Sequence, residues 1–269
     1  MKLDKKLTVC HFRKRKEKGE KIVCLTAYDA PTARLAEECG VELILVGDSL
    51  GMAVLGYKTT IPLTLEQSLH HCRAVRRGAK FSFIVGDMPF MTYQISPEEA
   101  MRNAARYMQD ACVDAVKIEG GSAAMAHTVE RLVSAGVPVM GHIGLLPQNI
   151  LTAGAYKVTG RTEDEASRLV NEAKALQEAG AFCIVLETMP ATLGKMISAG
   201  LRIPTIGIGA GPDCDGQVQV VNDILGLFTD FVPKHTKRYA NLNEDIRKAF
   251  SSYVKDVGEK KFPTEENSF

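Results

Sequence analysis

Residues 179–187, Ala-Gly-Ala-Phe-Cys-Ile-Val-Leu-Glu, contain the junction whose repetition decides the fold. The Ala-Gly pair is typical of a helix that ends at Gly180, because glycine readily adopts the left-handed conformation found after a helix C-terminus. The apolar run 182–186 shows no alternation with polar residues, which indicates a strand buried on both faces. Residues 135–138 and 199–204 repeat the junction. The repeating unit is therefore a helix followed directly by a buried strand.

Short apolar runs rich in valine and isoleucine recur along the chain. They lie at 22–27, 43–47, 81–86, 115–118, 137–141, 182–186, 205–208 and, less clearly, 218–221. Amphipathic segments separate them, and one more helix is expected in front, at about residues 5–18. Regular alternation of strand and helix requires parallel strands joined by crossovers. Eight units favour an α/β fold of the (β/α)₈ TIM-barrel type; an open doubly wound sheet is the alternative.

Helix boundaries carry their own signals. Ser96 stands at a cap position before Pro97, and Thr64 and Thr162 each open a capping box. Glycines mark the expected C-terminal ends, at Gly40, Gly78, Gly136, Gly180 and Gly200. These signals agree with the strand positions and support the same alternation.

Length and composition fit one domain spanning residues 1–269, with a polar C-terminal tail at about 255–269. Apolar residues make up 45% of the chain, and the formal net charge is +1. Such a charge provides no general attraction to nucleic acid or membranes, so a small-molecule partner is expected. The basic residues at 11–21 are interpreted as a solvated helix face, with a nucleic-acid patch as the alternative.

The cellular compartment is inferred from cysteines and leader signals. The seven cysteines are scattered singly without a CxxC pair, which indicates reduced thiols. No apolar run follows the basic residues near the start, so no secretory signal is expected. No stretch approaches the roughly 20 apolar residues of a membrane helix. These observations predict a cytoplasmic protein.

Four apolar runs end in, or just before, a carboxylate: Asp48, Asp87, Glu119 and Glu187. The C-terminal ends of barrel strands meet at one rim, where active sites of this fold lie. Acids crowded together repel one another unless a cation lies among them or some are protonated. An all-oxygen ligand set favours a hard cation, Mg²⁺ first with Mn²⁺ as a substitute. For Asp48 or Asp87 alone, the alternative is a helix cap, but the repeated Val-Gly-Asp favours the site.

Other polar residues near these strand ends have two interpretations each. Lys117 lies within an apolar run two residues before Glu119, so both point to the same side of the strand. A buried lysine must meet an anion, either a neighbouring acid or a substrate carboxylate. His142 is equally a core histidine or a site residue. The glycine-rich residues 206–211 serve either tight turns or the approach of a ligand to the backbone.

Two long connections, 48–63 and 142–161, are expected to lie over the barrel mouth. Long loops in a compact domain tend to be functional. Both connections follow strands that carry candidate site residues, so they are predicted to close over a bound ligand.

The motifs closely resemble the ketopantoate hydroxymethyltransferase family over about residues 8–234. The matching segments are Leu-Thr-Ala-Tyr-Asp at 25–29, Val-Gly-Asp-Ser-Leu-Gly-Met at 46–52 with Gly56-Tyr57 and Thr59-Thr60, Gly-Asp-Met-Pro-Phe at 86–90, Val-Lys-Ile-Glu-Gly-Gly at 116–121, Gly-His-Ile-Gly-Leu at 141–145 with Pro147-Gln148, Leu186-Glu187, and Ile-Gly-Ile-Gly-Ala-Gly at 206–211. Many ordered matches over most of the chain make this resemblance specific.

The resemblance implies a role for each site residue. It implies that Asp48, Asp87 and Glu119 are the Mg²⁺ carboxylates, and that Asp48, Ser49, Asp87 and Lys117 bind substrate, with His142 a possible further contact. Glu187 resembles the catalytic base. The implied reaction adds a hydroxymethyl group from 5,10-methylenetetrahydrofolate to C3 of 3-methyl-2-oxobutanoate through a Mg²⁺-stabilised enolate, giving 2-dehydropantoate for pantothenate synthesis. The resemblance also implies a homo-oligomer, a decamer.

Two rival functions remain at this point. One is another Mg²⁺-dependent barrel acting on 2-oxo acids, such as a carbon–carbon lyase or a phosphonopyruvate-type mutase. The other is a non-catalytic binding or assembly protein, which would predict substituted acids at the strand ends. All four acids are present, so the enzyme is favoured.

Overall fold

The computed structural model describes residues 3–228 and 232–269. Contacts between residues divide the chain into two compact units, residues 1–220 and 221–269. The sequence led us to expect a single domain over both units, and that expectation stays a prediction.

The first unit contains a closed barrel of eight parallel strands in sequence order, β1 to β8, with β8 paired to β1. The strands are β1 Ile22–Thr26, β2 Leu43–Val46, β3 Phe83–Asp87, β4 Ala115–Lys117, β5 Val139–Gly144, β6 Cys183–Glu187, β7 Thr205–Ile208 and β8 Gly216–Gln219. The closed parallel order confirms the predicted (β/α)₈ barrel and excludes the open doubly wound sheet.

The helices follow the predicted alternation. They are α1 Val9–Glu17, α2 Ala30–Glu38, α3 Leu50–Ala53, α4 Leu65–Gly78, α5 Pro97–Gln109, α6 Ala123–Ser134, α7 Ile150–Ala153, α8 Glu163–Glu178 and α9 Ala191–Gly200. Both predicted capping boxes form, at Thr64 and Thr162. Ser96 accepts the backbone N–H of Glu99, as a serine cap should. The local signals therefore set the helix starts.

Alternate residues along the strands point into the barrel and build its core. In β3, Phe83 and Val85 belong to the buried apolar cluster, and Asp87 follows at the same spacing of two. Phe12 of α1 reaches this cluster from the N-terminal side, with its ring 5.2 Å from the ring of Phe83. The barrel interior is thus apolar near the start of the strands and becomes polar at their C-terminal ends.

Helix α1 is bound to the barrel by ion pairs as well as by Phe12. Arg15 Nε donates to the buried Glu42 at 2.9 Å, and Lys16 Nζ donates to Asp215 at 2.7 Å. The basic cluster at 11–21 is therefore more than a solvated helix face, because part of it neutralises acids of the barrel. The sequence could not reveal these partners, which lie 27 and 199 residues away.

Some boundaries differ from the sequence expectation. β8 begins two residues early, at Gly216, where a Cβ would lie 2.5 Å from the Ile22 carbonyl oxygen, so the close approach of β1 requires glycine. β5 continues to Gly144, so His142 belongs to the strand and the long connection begins after it. The two long connections contain the short helices α3 and α7.

The second unit contains α10, Val221–Ile224, and α11, Leu242–Gly258, followed by a 3₁₀ turn at Glu265–Asn267. Helix α11 continues into the segment expected to be a polar tail. Within the described ranges, no helix has the length and apolar character needed to cross a membrane.

Candidate active site

Six predicted side chains lie at or near the C-terminal ends of five consecutive strands, β2 to β6. They are Asp48, Asp87, Lys117, Glu119, His142 and Glu187. Asp87, Lys117 and Glu187 are the last residues of β3, β4 and β6. Their side chains point into the barrel, at the same spacing of two residues as the apolar core residues that precede them on each strand. The alternation along each strand therefore places both the core residues and the candidate site residues.

Lys117 pairs with two of the acids. Its Nζ lies 2.9 Å from Asp87 Oδ1 and 3.7 Å from Glu119 Oε1. Asp87 and Lys117 are also register partners across β3 and β4. All three residues are buried. The lysine therefore neutralises neighbouring acids, as one of its two sequence interpretations required.

Asp48 joins this group through Asp87, whose Oδ2 accepts the backbone N–H of Asp48 at 3.0 Å. Burial, reinforced by the Asp87 and Glu119 carboxylates, raises the pKa of Asp48 to about 8. Burial likewise raises the pKa of Asp87, although Lys117 opposes this rise. Burial is the main cause of both raised pKa values, and the Glu119 carboxylate adds to the rise at both residues.

At Lys117 and Glu119, neighbouring opposite charges outweigh burial and favour the ionised forms. Burial alone would lower the pKa of Lys117, but Asp87, Glu119 and Asp48 raise it. Burial also opposes ionisation of Glu119, yet Lys117 and His142 lower its pKa. These two groups therefore carry opposite charges at neutral pH.

His142 bridges the acids of β4 and β6. Its Nδ1 lies 3.4 Å from Glu119 Oε1, and its Nε2 lies 3.2 Å from Glu187 Oε2. Burial and Lys117 oppose its charge, but the two carboxylates raise the pKa of His142 to about 9. The structure thus places His142 between two of the candidate site acids rather than among the apolar core residues.

Glu187 is the most accessible of these acids, with a side-chain exposure of 16%. The next residue, Thr188, has φ +48, a left-handed conformation that is rare for a β-branched residue. Two backbone hydrogen bonds hold it there, to Ile208 and from Thr159. The strand end that carries Glu187 is therefore fixed in an unusual geometry while its carboxylate reaches solvent.

Ser49 lies next to Asp48 at the start of α3. Its Oγ is 2.8 Å from the hydroxyl of Tyr28, which follows β1. Ser49 is only partly buried. It is therefore positioned at the edge of the acidic group, where a ligand could reach it.

The glycine-rich residues 206–211 pack against α9. A Cβ at Gly211 would lie 2.6 Å from Ala191 Cβ, and Gly211 has φ +88. Tight packing and backbone conformation therefore require glycine here, which agrees with the interpretation that these glycines serve tight turns. A role in ligand binding stays a prediction.

Two residues that had no role in the sequence prediction contact the acids. Gln148 Nε2 donates to Asp48 Oδ2 at 3.1 Å, and the Tyr93 hydroxyl accepts the backbone N–H of Glu119 at 3.0 Å. Gln148 belongs to a matched family motif, but neither residue lies at a strand end. Their position in the sequence alone did not distinguish them.

The carboxylates of this group are candidate ligands for a metal ion. Among the described residues, no three histidine, cysteine or acidic side chains are grouped closely enough to hold a metal ion by themselves. The chemistry of the donors nevertheless fits a hard cation. Lys117 and His142 lie 3.7 and 3.4 Å from Glu119 Oε1, but this buried oxygen accepts no hydrogen bond from any described residue. Asp48 lacks a cationic partner of its own at ion-pair distance in the same ranges. A site that adds water or substrate oxygens to one or two carboxylates is typical of Mg²⁺.

The fold resembles solved enzyme structures of low sequence identity. Phosphonopyruvate hydrolase in complex with oxalate and Mg²⁺ aligns with a TM-score of 0.64 at 15% identity, covering 97% of this chain and 93% of that one. Oxaloacetate acetylhydrolase in complex with 3,3-difluorooxalacetate aligns with a TM-score of 0.61 at 14% identity, covering 99% and 92%. At such identities the likeness concerns the fold alone.

Sequence relatives are much nearer. The family model described as ketopantoate hydroxymethyltransferase matches residues 6–265. A 3-methyl-2-oxobutanoate hydroxymethyltransferase of Dehalococcoides mccartyi (strain CBDB1) is 55% identical, covering 97% of this chain and 94% of the relative. One of Syntrophus aciditrophicus (strain SB) is 52% identical, covering 98% and 97%. The chain belongs to the ketopantoate hydroxymethyltransferase family.

Proposed function

We propose that this chain transfers a hydroxymethyl group from 5,10-methylenetetrahydrofolate to C3 of 3-methyl-2-oxobutanoate, giving 2-dehydropantoate in pantothenate synthesis. Family membership and the names of relatives at 48–55% identity support the reaction. The observation that carries the proposal is the buried group of Asp48, Asp87 and Glu119 around Lys117, with Glu187 accessible beside it.

Asp48 and Asp87 would hold Mg²⁺ directly, and Glu119 would hold it directly or through water. Burial together with the Asp87 and Glu119 carboxylates raises the pKa of Asp48, and this supports the assignment because a divalent cation would offset the cost of a buried, crowded carboxylate. Mn²⁺ should substitute, because it accepts the same oxygen ligands. When bound, Mg²⁺ polarises the keto group of the substrate and makes the hydrogen on C3 more acidic.

Lys117 and Ser49 would orient the 2-oxo acid. The Lys117 ammonium keeps its charge despite burial, and it faces the side of the barrel on which Asp87 and Glu119 lie. An anionic substrate beside it would gain a charge-assisted hydrogen bond. Ser49 Oγ, at the edge of the group, is a further donor for a carboxylate oxygen. These contacts would fix C3 relative to Glu187.

Glu187 would take the proton from C3. His142 contacts its carboxylate at 3.2 Å and so limits its orientation. The oxygen of the resulting enolate would be stabilised by the nearby Lys117 charge. Carbon C3 then bonds to the one-carbon unit of the folate, and water supplies the hydroxyl group as tetrahydrofolate leaves. A base on β6 lies apart from the acids of β2 to β4, so it would accept the proton without being a metal ligand.

We also propose, from family membership, that the chain works as a homo-oligomer, a decamer, in the cytoplasm. The formal net charge of +1 supports a small-molecule enzyme rather than a nucleic-acid or membrane partner. Multi-angle light scattering of the purified protein should give about ten times the chain mass of 29.3 kDa. A monomeric mass would refute this assembly.

The reaction is tested in two steps. Enzyme, Mg²⁺ and 3-methyl-2-oxobutanoate in D₂O should exchange the C3 hydrogen without folate, and adding methylenetetrahydrofolate should then yield 2-dehydropantoate. Glu187→Gln should still bind substrate and metal but lose exchange by about 10²–10⁴-fold, the usual contribution of a positioned base. Wild-type exchange in Glu187→Gln would assign the proton transfer to another group, with His142 the first to test. Exchange without any folate-dependent product would favour a lyase or mutase.

A further inference from the structure

Gln148 contacts the loops that follow β2, β3 and β4, although it belongs to the connection after β5. Its Nε2 donates to Asp48 Oδ2 at 3.1 Å and to the Met88 carbonyl oxygen at 3.0 Å. Its backbone N–H donates to Glu119 Oε2 at 3.2 Å. Gln148 is only 2% exposed. One buried residue therefore joins two carboxylates that come from different strands.

The acceptor side of the Gln148 amide is also occupied. Its Oε1 accepts hydrogen bonds from the Tyr93 hydroxyl at 2.8 Å and from Gln94 Nε2 at 3.0 Å. Tyr93 in turn accepts the backbone N–H of Glu119 at 3.0 Å. A glutamine amide has two donor hydrogens and two acceptor lone pairs, so all four positions are in use. Because a backbone carbonyl only accepts, the bond to Met88 fixes which end of the amide faces Asp48.

We propose that Gln148 is a positioning residue that orients the Asp48 and Glu119 carboxylates for a divalent cation. This inference rests on the proposed function, which assigns those carboxylates to Mg²⁺. An uncharged residue suits this task, because its side-chain amide holds Asp48 Oδ2 and its backbone N–H holds Glu119 Oε2 without supplying a competing positive charge. The Tyr93 hydroxyl donates to the other end of the amide, Gln148 Oε1, and so fixes its orientation. Partners that orient metal ligands typically change metal affinity or activity by about 10–100-fold when replaced.

The test is Mn²⁺ binding to the full chain without substrate, measured from the signal of free Mn²⁺ in electron paramagnetic resonance. Gln148→Met keeps the length of the side chain and removes its donors and acceptors. It should bind Mn²⁺ about 10–100-fold more weakly than the wild type. Mg²⁺-dependent C3 hydrogen exchange should need correspondingly more Mg²⁺ for half-maximal rate, with a smaller change in the rate at saturating Mg²⁺.

Gln177→Met is the matched control. The Gln177 Oε1 accepts the backbone N–H of Arg202 at 2.6 Å and that of Ile203 at 3.3 Å, before β7 and away from the acids. The same substitution therefore removes two hydrogen bonds from a structural glutamine. It should lower the thermal unfolding midpoint and leave the Mn²⁺ affinity unchanged.

Tyr93→Phe provides a second, milder variant, since it removes only the hydroxyl that holds Gln148 and Glu119. It should also weaken Mn²⁺ binding. In the double variant with Gln148→Met, the loss of binding free energy should be smaller than the sum of the two single losses. Wild-type Mn²⁺ affinity in folded Gln148→Met overturns the positioning role of Gln148 but leaves the proposed function standing. If that variant does not fold, wild-type affinity in Tyr93→Phe overturns it. A wild-type protein that binds no divalent cation overturns the proposed function and this inference with it.

Discussion

Replacing Gly144 with alanine should displace Glu187, although the two residues are 43 positions apart in the chain. They are register partners at the C-terminal ends of β5 and β6. A Cβ at Gly144 would overlap the carbonyl oxygen of Glu187 and lie 3.0 Å from Met189 Cε. That carbonyl oxygen also accepts the backbone N–H of Leu145 at 2.9 Å. The added methyl group therefore competes with the hydrogen bond that fixes the end of β6.

The size of the effect follows from this geometry. The strands must separate by roughly 1 Å at Gly144 to bring the new Cβ to an ordinary van der Waals distance from the carbonyl oxygen. A displacement of about 1 Å at a reacting group can lower the rate about 10²-fold. Gly144 also has φ +105. An L-residue in a left-handed conformation costs about 1–2 kcal/mol of folding free energy, and the lost hydrogen bond costs about 1 kcal/mol more.

Deuterium exchange at C3 of 3-methyl-2-oxobutanoate and thermal unfolding should be measured together. Gly136→Ala is the matched control, because Gly136 has φ +90 and a Cβ added there would meet no atom within 4 Å. It should lose about 1–2 kcal/mol of stability and keep the wild-type exchange rate. Gly144→Ala should lose stability and also about 10²-fold in exchange. Equal exchange rates in the two variants would refute the claim that the β5–β6 contact positions Glu187.

Substitutions at Asp87, Lys117 and Glu37, and ligand binding at the two long connections, should each have a measurable effect. Asp87→Ala should abolish Mg²⁺-dependent turnover in a folded barrel; turnover with unchanged Mg²⁺ dependence would contradict the metal assignment. Lys117→Ala should raise the KM for the oxo acid and cost about 3–5 kcal/mol of stability, because buried acids lose their cation; an unchanged KM would make the lysine purely structural. Glu37 accepts three backbone N–H groups at 2.6–3.0 Å, and these lower its pKa although burial opposes ionisation. A carboxyl group whose pKa is lower in the folded state stabilises the fold at pH values above its unfolded pKa of about 4.3. Glu37→Gln should therefore lose about 1–3 kcal/mol in urea unfolding at pH 7, and this difference should shrink progressively as the pH falls below that value and through the lower folded pKa; a pH-independent difference would contradict it. Residues 51–62 and 144–160 should exchange amide hydrogens more slowly with oxo acid and Mg²⁺ bound, and a lack of protection in both would exclude a lid.

The barrel could be predicted because its signals are local and repeated. Each buried strand is a short apolar run, and each following helix starts at a cap such as Thr64 or Thr162 that needs only the next three residues. β8 was predicted two residues late because its sequence, with glycine and glutamines, lacks the apolar run of the others. Its position depends on the close approach of β1 at Ile22, which is a contact between distant segments.

The acids of the site were predictable for a related reason. Asp87 and Glu187 end their strands, and Lys117 ends β4, so the topology brings them to one rim once the barrel closes. The position of His142 between two acids was not predictable in this way. A histidine near a strand end is neutral or charged according to its neighbours, and only the contacts to Glu119 and Glu187 decide between a core and a site residue.

Loop residues carry no periodicity, and this explains why Gln148 and Tyr93 were not assigned a role. Gln148 lies 100 positions from Asp48 along the chain, yet its amide is within hydrogen-bond distance of that carboxylate. Strand ends supply charged groups at positions that the backbone register fixes, whereas the loops decide which oxygen of each carboxylate remains available. The fold therefore determines which acids meet, and the loops determine their orientation. If the carboxylates hold a cation as proposed, a loop substitution such as Gln148→Met should weaken its binding by about 10–100-fold, whereas a strand-end substitution such as Asp87→Ala should remove the binding site.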